Sequence, residues 1–507
     1  MGLGITRRVA IAGCLILSIT SRRISVVKCF LDPPVRILYC VAGMKVPATT
    51  ESAPATEQPK LLRALGLWET SAIAIGIMIG TAIFLVPAEI TREVGSPRTA
   101  LAVWLVGGIL SLFGALSFAE LAAMFPQSGG QYVFLREAYG SLVSFLCGWS
   151  FFVSAQTGGI SVLAVGFAEY LRELVALSPW QQKAAAGASI ALFTVINYRG
   201  VREGGAVQSL LTGLKVAAMG GLIVLGFALV RGTPGGAPSL PRPLGTSFLS
   251  SFGVALVAAF WAYEGWNTCT FAAGEVKRPE RNLPLALILG TSAVILLYLG
   301  LTLFYYRVLT VPEVAQSARV AADSAVRILG RKGSLLVTWV IIVSTLGSIN
   351  GSVLAAPRVY YAMAKDGLFF RWCAAVHPRF RTPHLALLLQ GALAIVLVLF
   401  GTYEQLFTYV IFAAWVFYAL AAFAVIVLRR KMPGLPRPYR VWGYPVVPVV
   451  FVLATAWFLV NMLLERPAEA GGGCLILVAG IPVYFIWKRR GVRNSKLEIR
   501  NSQETPL

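Results

Sequence analysis

A chain of 507 residues that is 57% hydrophobic and only 13% charged holds far more apolar surface than a soluble domain can bury, so most of it must lie in lipid. Its net charge of +22 would suggest nucleic acid in a soluble protein, but here the basic residues fill the short gaps between apolar runs, where they set topology. Seven cysteines without C-x-x-C spacing, and two histidines (His377 and His384) that flank a loop, support no disulfide framework, metal site, cofactor or histidine chemistry.

Residues 1–43 read as upstream or non-native sequence. Arg7 and Arg8 precede a short apolar run, Val9 to Thr20, but Arg22 and Arg23 follow it and no small-x-small cleavage site appears. Cys14 sits in a lipoprotein-like box with too few apolar residues before it. The polar stretch from Met44 reads as the true start, and residues 44–65 as a cytoplasmic tail.

From Gly66 onward about twelve apolar runs reach spanning length: 66–90, 99–124, 139–170, 184–199, 207–230, 248–274, 284–306, 334–363, 384–401, 405–429, 444–463 and 470–487. Leaving aside residues 1–43 and Lys215, the gaps on the N-terminal side carry 25 lysines and arginines and the opposite gaps 12, which places both termini, including 488–507, in the cytoplasm. The expected fold is an all-α polytopic membrane protein.

Span one carries Gly76 and Gly80, which weaken its helix where lipid normally demands continuous hydrogen bonding. The chain is expected to break at Gly80-Thr81-Ala82, with a second half-helix starting near Ile83 and aiming its positive end at an anion. Span six is interrupted in the same way at Trp261-Ala262-Tyr263-Glu264-Gly265. Five spans separate the breaks, so the two enter from opposite sides, as inverted five-helix repeats at 66–230 and 248–429 require, with two accessory helices at 444–487. Amides near Thr81, Ala82 and Ile83 suit a carboxylate, while carbonyls released at Met78 and from Trp261 to Glu264 suit an ammonium; together they describe a site for an α-amino acid. Taken alone, the glycines read rather as close-packing points; the matching break in span six turns the reading toward a site.

Lys215 stands eight residues inside span five, about 12 Å deep at the helical rise. A lysine there costs at least about 2.5 kcal/mol on insertion scales, so it needs a partner or a task. The functional reading is a fixed ammonium in the place of a coupling sodium ion, near the hydroxyls of Ser344 and Thr345. Burial also disfavours the charged form, which makes proton release during transport a second task for it. Snorkelling to the interface is the bland alternative. Glu120, near the cytoplasmic end of span two, reads as a gate or packing contact. Glu264 either tunes substrate charge or caps loose amides, and Trp261 either closes over a solute or packs.

Several motifs resemble the amino acid, polyamine and organocation (APC) superfamily, most closely bacterial members of its L-type amino acid transporter family. They are Gly76 to Phe84, Phe118-Ala119-Glu120-Leu121 followed by Phe125 to Tyr132, Gly274 to Pro284, Gly347 to Gly351 and Arg358 to Gly367, and the resemblance covers about residues 63–488. It implies the leucine-transporter fold, alternating access, and amino acid exchange or proton-linked uptake across a bacterial inner membrane. It further implies that Lys215 matches a span-five lysine replacing the sodium site and that Trp261 matches an aromatic gate. Ala82 departs from the usual glycine, and Glu264 stands where the eukaryotic light chains have glycine. The loop at 171–183 lacks the cysteine by which animal members join a heavy chain, so no such partner is expected and a monomer suffices. The rival readings are a sodium-coupled or polyamine carrier, and, from other classes, a membrane-embedded enzyme or a solute sensor; paired catalytic carboxylates at helical spacing and a soluble output domain are both missing from the sequence.

Overall fold

The computed structural model describes residues 14–17, 26–29, 59–230, 247–400, 403–465 and 467–503. Residues up to Gln58 form a unit of their own, in which Cys14–Leu17 (β1) pairs antiparallel with Val26–Cys29 (β2), a small exception to the all-helical expectation. The expected start at Met44 lies outside the described residues.

The second unit, Pro59–Leu507, is helical. In chain order its helices are Leu67–Met78 (α1), Ala82–Val94 (α2), Pro97–Met124 (α3), Gln131–Tyr139 (α4), Ser141–Ser150 (α5), Gln156–Arg172 (α6), Pro179–Arg199 (α7), Val201–Leu229 (α8) and Phe248–Ala262 (α9). Pro279–Val308 (α10), Val311–Gln316 (α11), Val320–Leu329 (α12), Arg331–Ala355 (α13), Pro357–Lys365 (α14), His384–Phe400 (α15), Tyr403–Lys431 (α16), Val446–Glu465 (α17) and Pro467–Gln503 (α18) complete the series. A π-helical turn, Phe151–Ala155, joins α5 to α6, and a 3-10 segment, Trp266–Glu275, continues the line of α9.

Among the described residues nine helical stretches are long and apolar enough to cross a membrane, and α1 with α2, bent by 45° at their break, make a tenth. All twelve expected runs are helical, but two fall short of a full apolar span. Helix α15 has 17 residues, about 25 Å at the helical rise, against a hydrocarbon core of about 30 Å. Helix α7 is longer, yet its ends carry Gln181, Gln182, Lys183, Asn197 and Arg199.

The broken helix α1–α2 is held at the centre because α1 packs on α8, α10 and α13 while α2 packs on α9. Helix α1 starts at Gly66, whose amide donates to Glu69 Oε2 at 2.9 Å, so a side chain satisfies one of the helix's orphan donors. On that same face the lead-in strand is pinned: Ala64 and Leu65 amides donate to the Glu275 carbonyl at 2.8 and 3.0 Å, and Lys277 N–H donates to Leu65 at 2.8 Å. Arg358 reaches the Glu275 carboxylate at 2.6 and 3.0 Å, with both side chains fully buried. Glu120 makes a separate tie. Its carboxylate accepts from Arg429 at 2.9 and 2.6 Å and from the Val441 amide at 2.7 Å, tying α3 to α16 and to the loop before α17. At the other end of α6, Glu173 pairs with Arg319, the residue that precedes α12.

Candidate functional site

The two breaks meet. Gly265 has φ +110°, a conformation in which a side chain is strained, and a Cβ there would stand 2.7 Å from Ile77 Cγ2. Positive φ and close approach together explain why the second break is built on glycine. At the first, Ile79, Gly80 and Thr81 leave the helix between Met78 and Ala82, one residue from the expected position. Helix α2 starts with no side-chain cap, and among the described residues the amides of Thr81, Ala82 and Ile83 have no hydrogen-bond acceptor. Across the gap, the carbonyls of Ile77 and Phe260 accept no main-chain hydrogen bond, because the residues that should donate to them have left the helix.

Of these residues, Ile77, Thr81 and Ala82 border a cavity of about 130 Å³, whereas Ile83 and Phe260 lie behind its wall. Its walls include Gly80, Thr81 and Ala82 from the first break, Trp261 and Glu264 from the second, Gln156 and Leu163 from α6, Ser352 from α13 and Tyr418 from α16. The π-helical turn just before α6 ends on Ala155, which also lines the cavity. A widened turn there frees backbone groups and turns side chains toward a site, the usual setting of such turns.

Beside the first break lies Lys215, with no exposed surface. Its ammonium donates to the carbonyls of Gly76, Ile79 and Ser344, each at 2.8 Å, and lies 3.5 Å from Ser348 Oγ. Two of those carbonyls are ones the break has released, so the lysine takes the place of the missing helix amides. Gly347 makes room for it, since a Cβ there would sit 3.1 Å from both Cε and Nζ.

A solute cavity at the meeting of two interrupted membrane helices is transporter architecture, and a family model described as amino acid permease matches residues 65–484. The chain belongs to the amino acid permease family. It is 34% identical to the serine/threonine exchanger SteT of Bacillus subtilis, over 86% of this chain and 99% of that protein. Similarity extends to the human b(0,+)-type amino acid transporter 1, 30% identical over 88% of the chain and 92% of the relative. The human cystine/glutamate transporter is 29% identical over 86% of the chain and 88% of its own length. This permease is thus a helical, multi-pass membrane protein that moves amino acids by secondary transport, and not an enzyme.

The permease brings most of the sequence-derived site residues together, and displaces some. Met78, Gly80, Thr81, Ala82, Trp261 and Glu264 line the cavity, whereas Ile83, Ala262 and Tyr263 do not. The carbonyls of Met78 and Ala262, expected to face an ammonium, both lie within hydrogen-bonding reach of the Tyr298 hydroxyl, at 2.9 and 3.1 Å, and share its single proton. Tyr298 on α10 thereby bridges the two broken helices, and Ile77 supplies an open carbonyl at the cavity instead. Tyr263 turns away from the cavity, its hydroxyl donating to the Trp104 carbonyl at 3.1 Å. Thr345, expected beside Lys215, folds back to the carbonyls of Ile341 and Ile342 on its own helix, both at 2.9 Å. Ser348 holds the expected position: one turn on from Ser344, it donates to Gly76 at 2.9 Å and Ile79 at 3.2 Å. Glu120 lies outside the cavity lining.

Sequence reasoning missed Ile77, Gln156, Leu163, Thr268, Ser352, Tyr418 and Tyr298. For Ser348 a signal existed: Ser344 and Ser348 stand at i and i+4, hence on one face of a helix, while Thr345 does not.

Proposed function

We propose that the permease works without sodium, by exchange, from a bacterial inner membrane with both termini cytoplasmic, as a monomer without a heavy chain. The α-carboxylate of the solute rests on the amides of Thr81, Ala82 and Ile83 at the positive end of α2. Its α-ammonium is received by the Ile77 carbonyl, Trp261 closes over it, and its side chain points toward Glu264. A carboxylate in a cavity wall favours side chains that donate a hydrogen bond, ammonium groups foremost.

The observation that carries sodium independence is the oxygen cage at Gly76, Ile79 and Ser344, in which each carbonyl is engaged at 2.8 Å by the ammonium of Lys215. A sodium ion would need those same oxygens and would add a second positive charge next to the first. Exchange is favoured over proton-linked uptake by the likeness to a serine/threonine exchanger. The test uses proteoliposomes with radiolabelled L-serine outside. Uptake is expected to be equal with sodium or choline as the external cation, and to depend on unlabelled amino acid inside. A requirement for sodium overturns the first part; uptake into empty vesicles driven by an inward proton gradient overturns the second.

A further inference from the structure

The cavity contains a hydroxyl with one proton and two claimants. Tyr418 OH lies 3.3 Å from Glu264 Oε1 and 3.4 Å from Asn267 Oδ1. A phenol has a single proton to give, while a carboxylate and an amide oxygen both only accept, so Tyr418 serves one of them at a time. The ring cannot move to resolve the conflict. It is 2% exposed and wedged between Trp415, Trp266 and Phe118, with ring centroids 5.5, 5.9 and 6.4 Å away. Only the O–H rotates.

The two orientations of that proton act on different neighbours. Asn267 passes its own amide N–H to Gln131 Oε1 at 3.1 Å, and Gln131 is the first residue of α4. The Gln131 amide nitrogen is buried and has no partner among the described residues. The start of α4 is pressed onto the 3-10 segment that carries Asn267, since a Cβ on Gly130 would stand 2.5 Å from Thr270 Oγ1. The rest of the helix is tied to the end of α14, the helix that carries Arg358, and to α16: Tyr132 and Arg136 both donate to Asp366 Oδ2, at 2.8 and 2.6 Å, and Lys431 donates to the Glu137 carbonyl at 3.0 Å.

We propose that Tyr418 is a positioning residue that transmits occupancy of Glu264 to α4. When a donor group of the solute takes Glu264, the Tyr418 proton turns to Asn267 Oδ1. This polarises the Asn267 amide and tightens its bond to Gln131, because hydrogen bonds in a chain strengthen one another. Helix α4, tied through Asp366 to the end of α14, is thereby told which kind of side chain is bound. The proposal rests on the reading that Glu264 receives the solute's side chain, and the experiment separates the two.

Hydrogen–deuterium exchange over residues 129–139 and thermal stabilisation are measured on the purified full chain with L-lysine and with L-alanine. In the wild type, L-lysine is expected to slow exchange in this segment at least threefold more than L-alanine at equal occupancy. Tyr418→Phe keeps the ring and removes the proton, so at matched occupancy the lysine-specific effect on exchange should disappear. Gln131→Leu cuts the same chain one step further on, outside the cavity lining, and should give the same result. Persistence of the lysine-specific protection in both variants overturns the transmission. Glu264→Gln tests the underlying reading alone: lysine affinity should fall at least tenfold with alanine affinity unchanged. An equal effect on both, or failure of L-lysine to bind the wild type, removes that reading instead.

Discussion

Lys215 and Glu264 are two ionisable side chains set against the same pair of broken helices, and the protein treats them in opposite ways. The lysine is saturated: three carbonyls at 2.8 Å consume its three protons, and nothing of it reaches the surface. The glutamate has room for about four hydrogen bonds and receives one, a 3.3 Å contact from Tyr418, while lining the cavity. A saturated charge has been solved by the fold and acts as part of its frame. An unsaturated one facing a cavity is held for something that arrives.

The largest effect should come from breaking the saturated member. Lys215→Ala takes the ammonium from the Gly76, Ile79 and Ser344 carbonyls and leaves them only the neutral serine hydroxyls nearby, and hydrogen bonds to a charged donor are each worth about 1.5–3 kcal/mol. Loss of two of them already exceeds about 3 kcal/mol, more than a hundredfold in an equilibrium constant. Uptake is therefore expected to be abolished, while Tyr298 still clips Met78 to Ala262 and the protein still folds. Uptake by a monodisperse Lys215→Ala protein within tenfold of wild type would show that the lysine is dispensable to the frame.

The unsaturated member should behave in the opposite sense. Glu264→Gln removes a poorly compensated charge from a half-buried position, so the ligand-free protein is expected to gain about 1 kcal/mol of stability. A melting curve of the variant without amino acid reads this directly. A loss of similar size would mean that Glu264 is as fully compensated as Lys215, and the contrast between them would disappear.

How far the sequence carried this contrast depended on whether the feature was local in the chain. The breaks were legible because glycines at 80 and 265 interrupt apolar runs, and apolar runs fix helices by length alone. Lys215 stood out because a lone charge at that depth has no cheap explanation. The cavity walls were not legible. Gln156, Ser352 and Tyr418 look like ordinary polar tolerances on helices far apart in the chain, and only packing brings them to one place. The same limit explains the carbonyls: that Met78 and Ala262 would share the Tyr298 hydroxyl depended on α10 crossing both breaks, and no spacing along the chain encodes that. The short span α15 and the polar ends of α7 were visible in the sequence, but a count of apolar runs does not weigh them.

The finest distinction lies between two adjacent turns of α13. Ser348 donates to Gly76 and Ile79, the same carbonyls that hold Lys215, whereas the Thr345 hydroxyl bonds only to its own helix. Ser348→Ala should therefore weaken the lysine's cage by about 1 kcal/mol, the net worth of a buried hydrogen bond, and slow uptake by about fivefold. Thr345→Val removes a hydroxyl whose acceptors already take part in helix bonds, and it keeps the branched shape, so stability and uptake should both stay near wild type, within about 0.5 kcal/mol. Measured side by side in the same vesicles, the pair asks whether the saturation of Lys215 or mere closeness to it governs transport. If the threonine variant were slowed as much as the serine variant, closeness would be the better description.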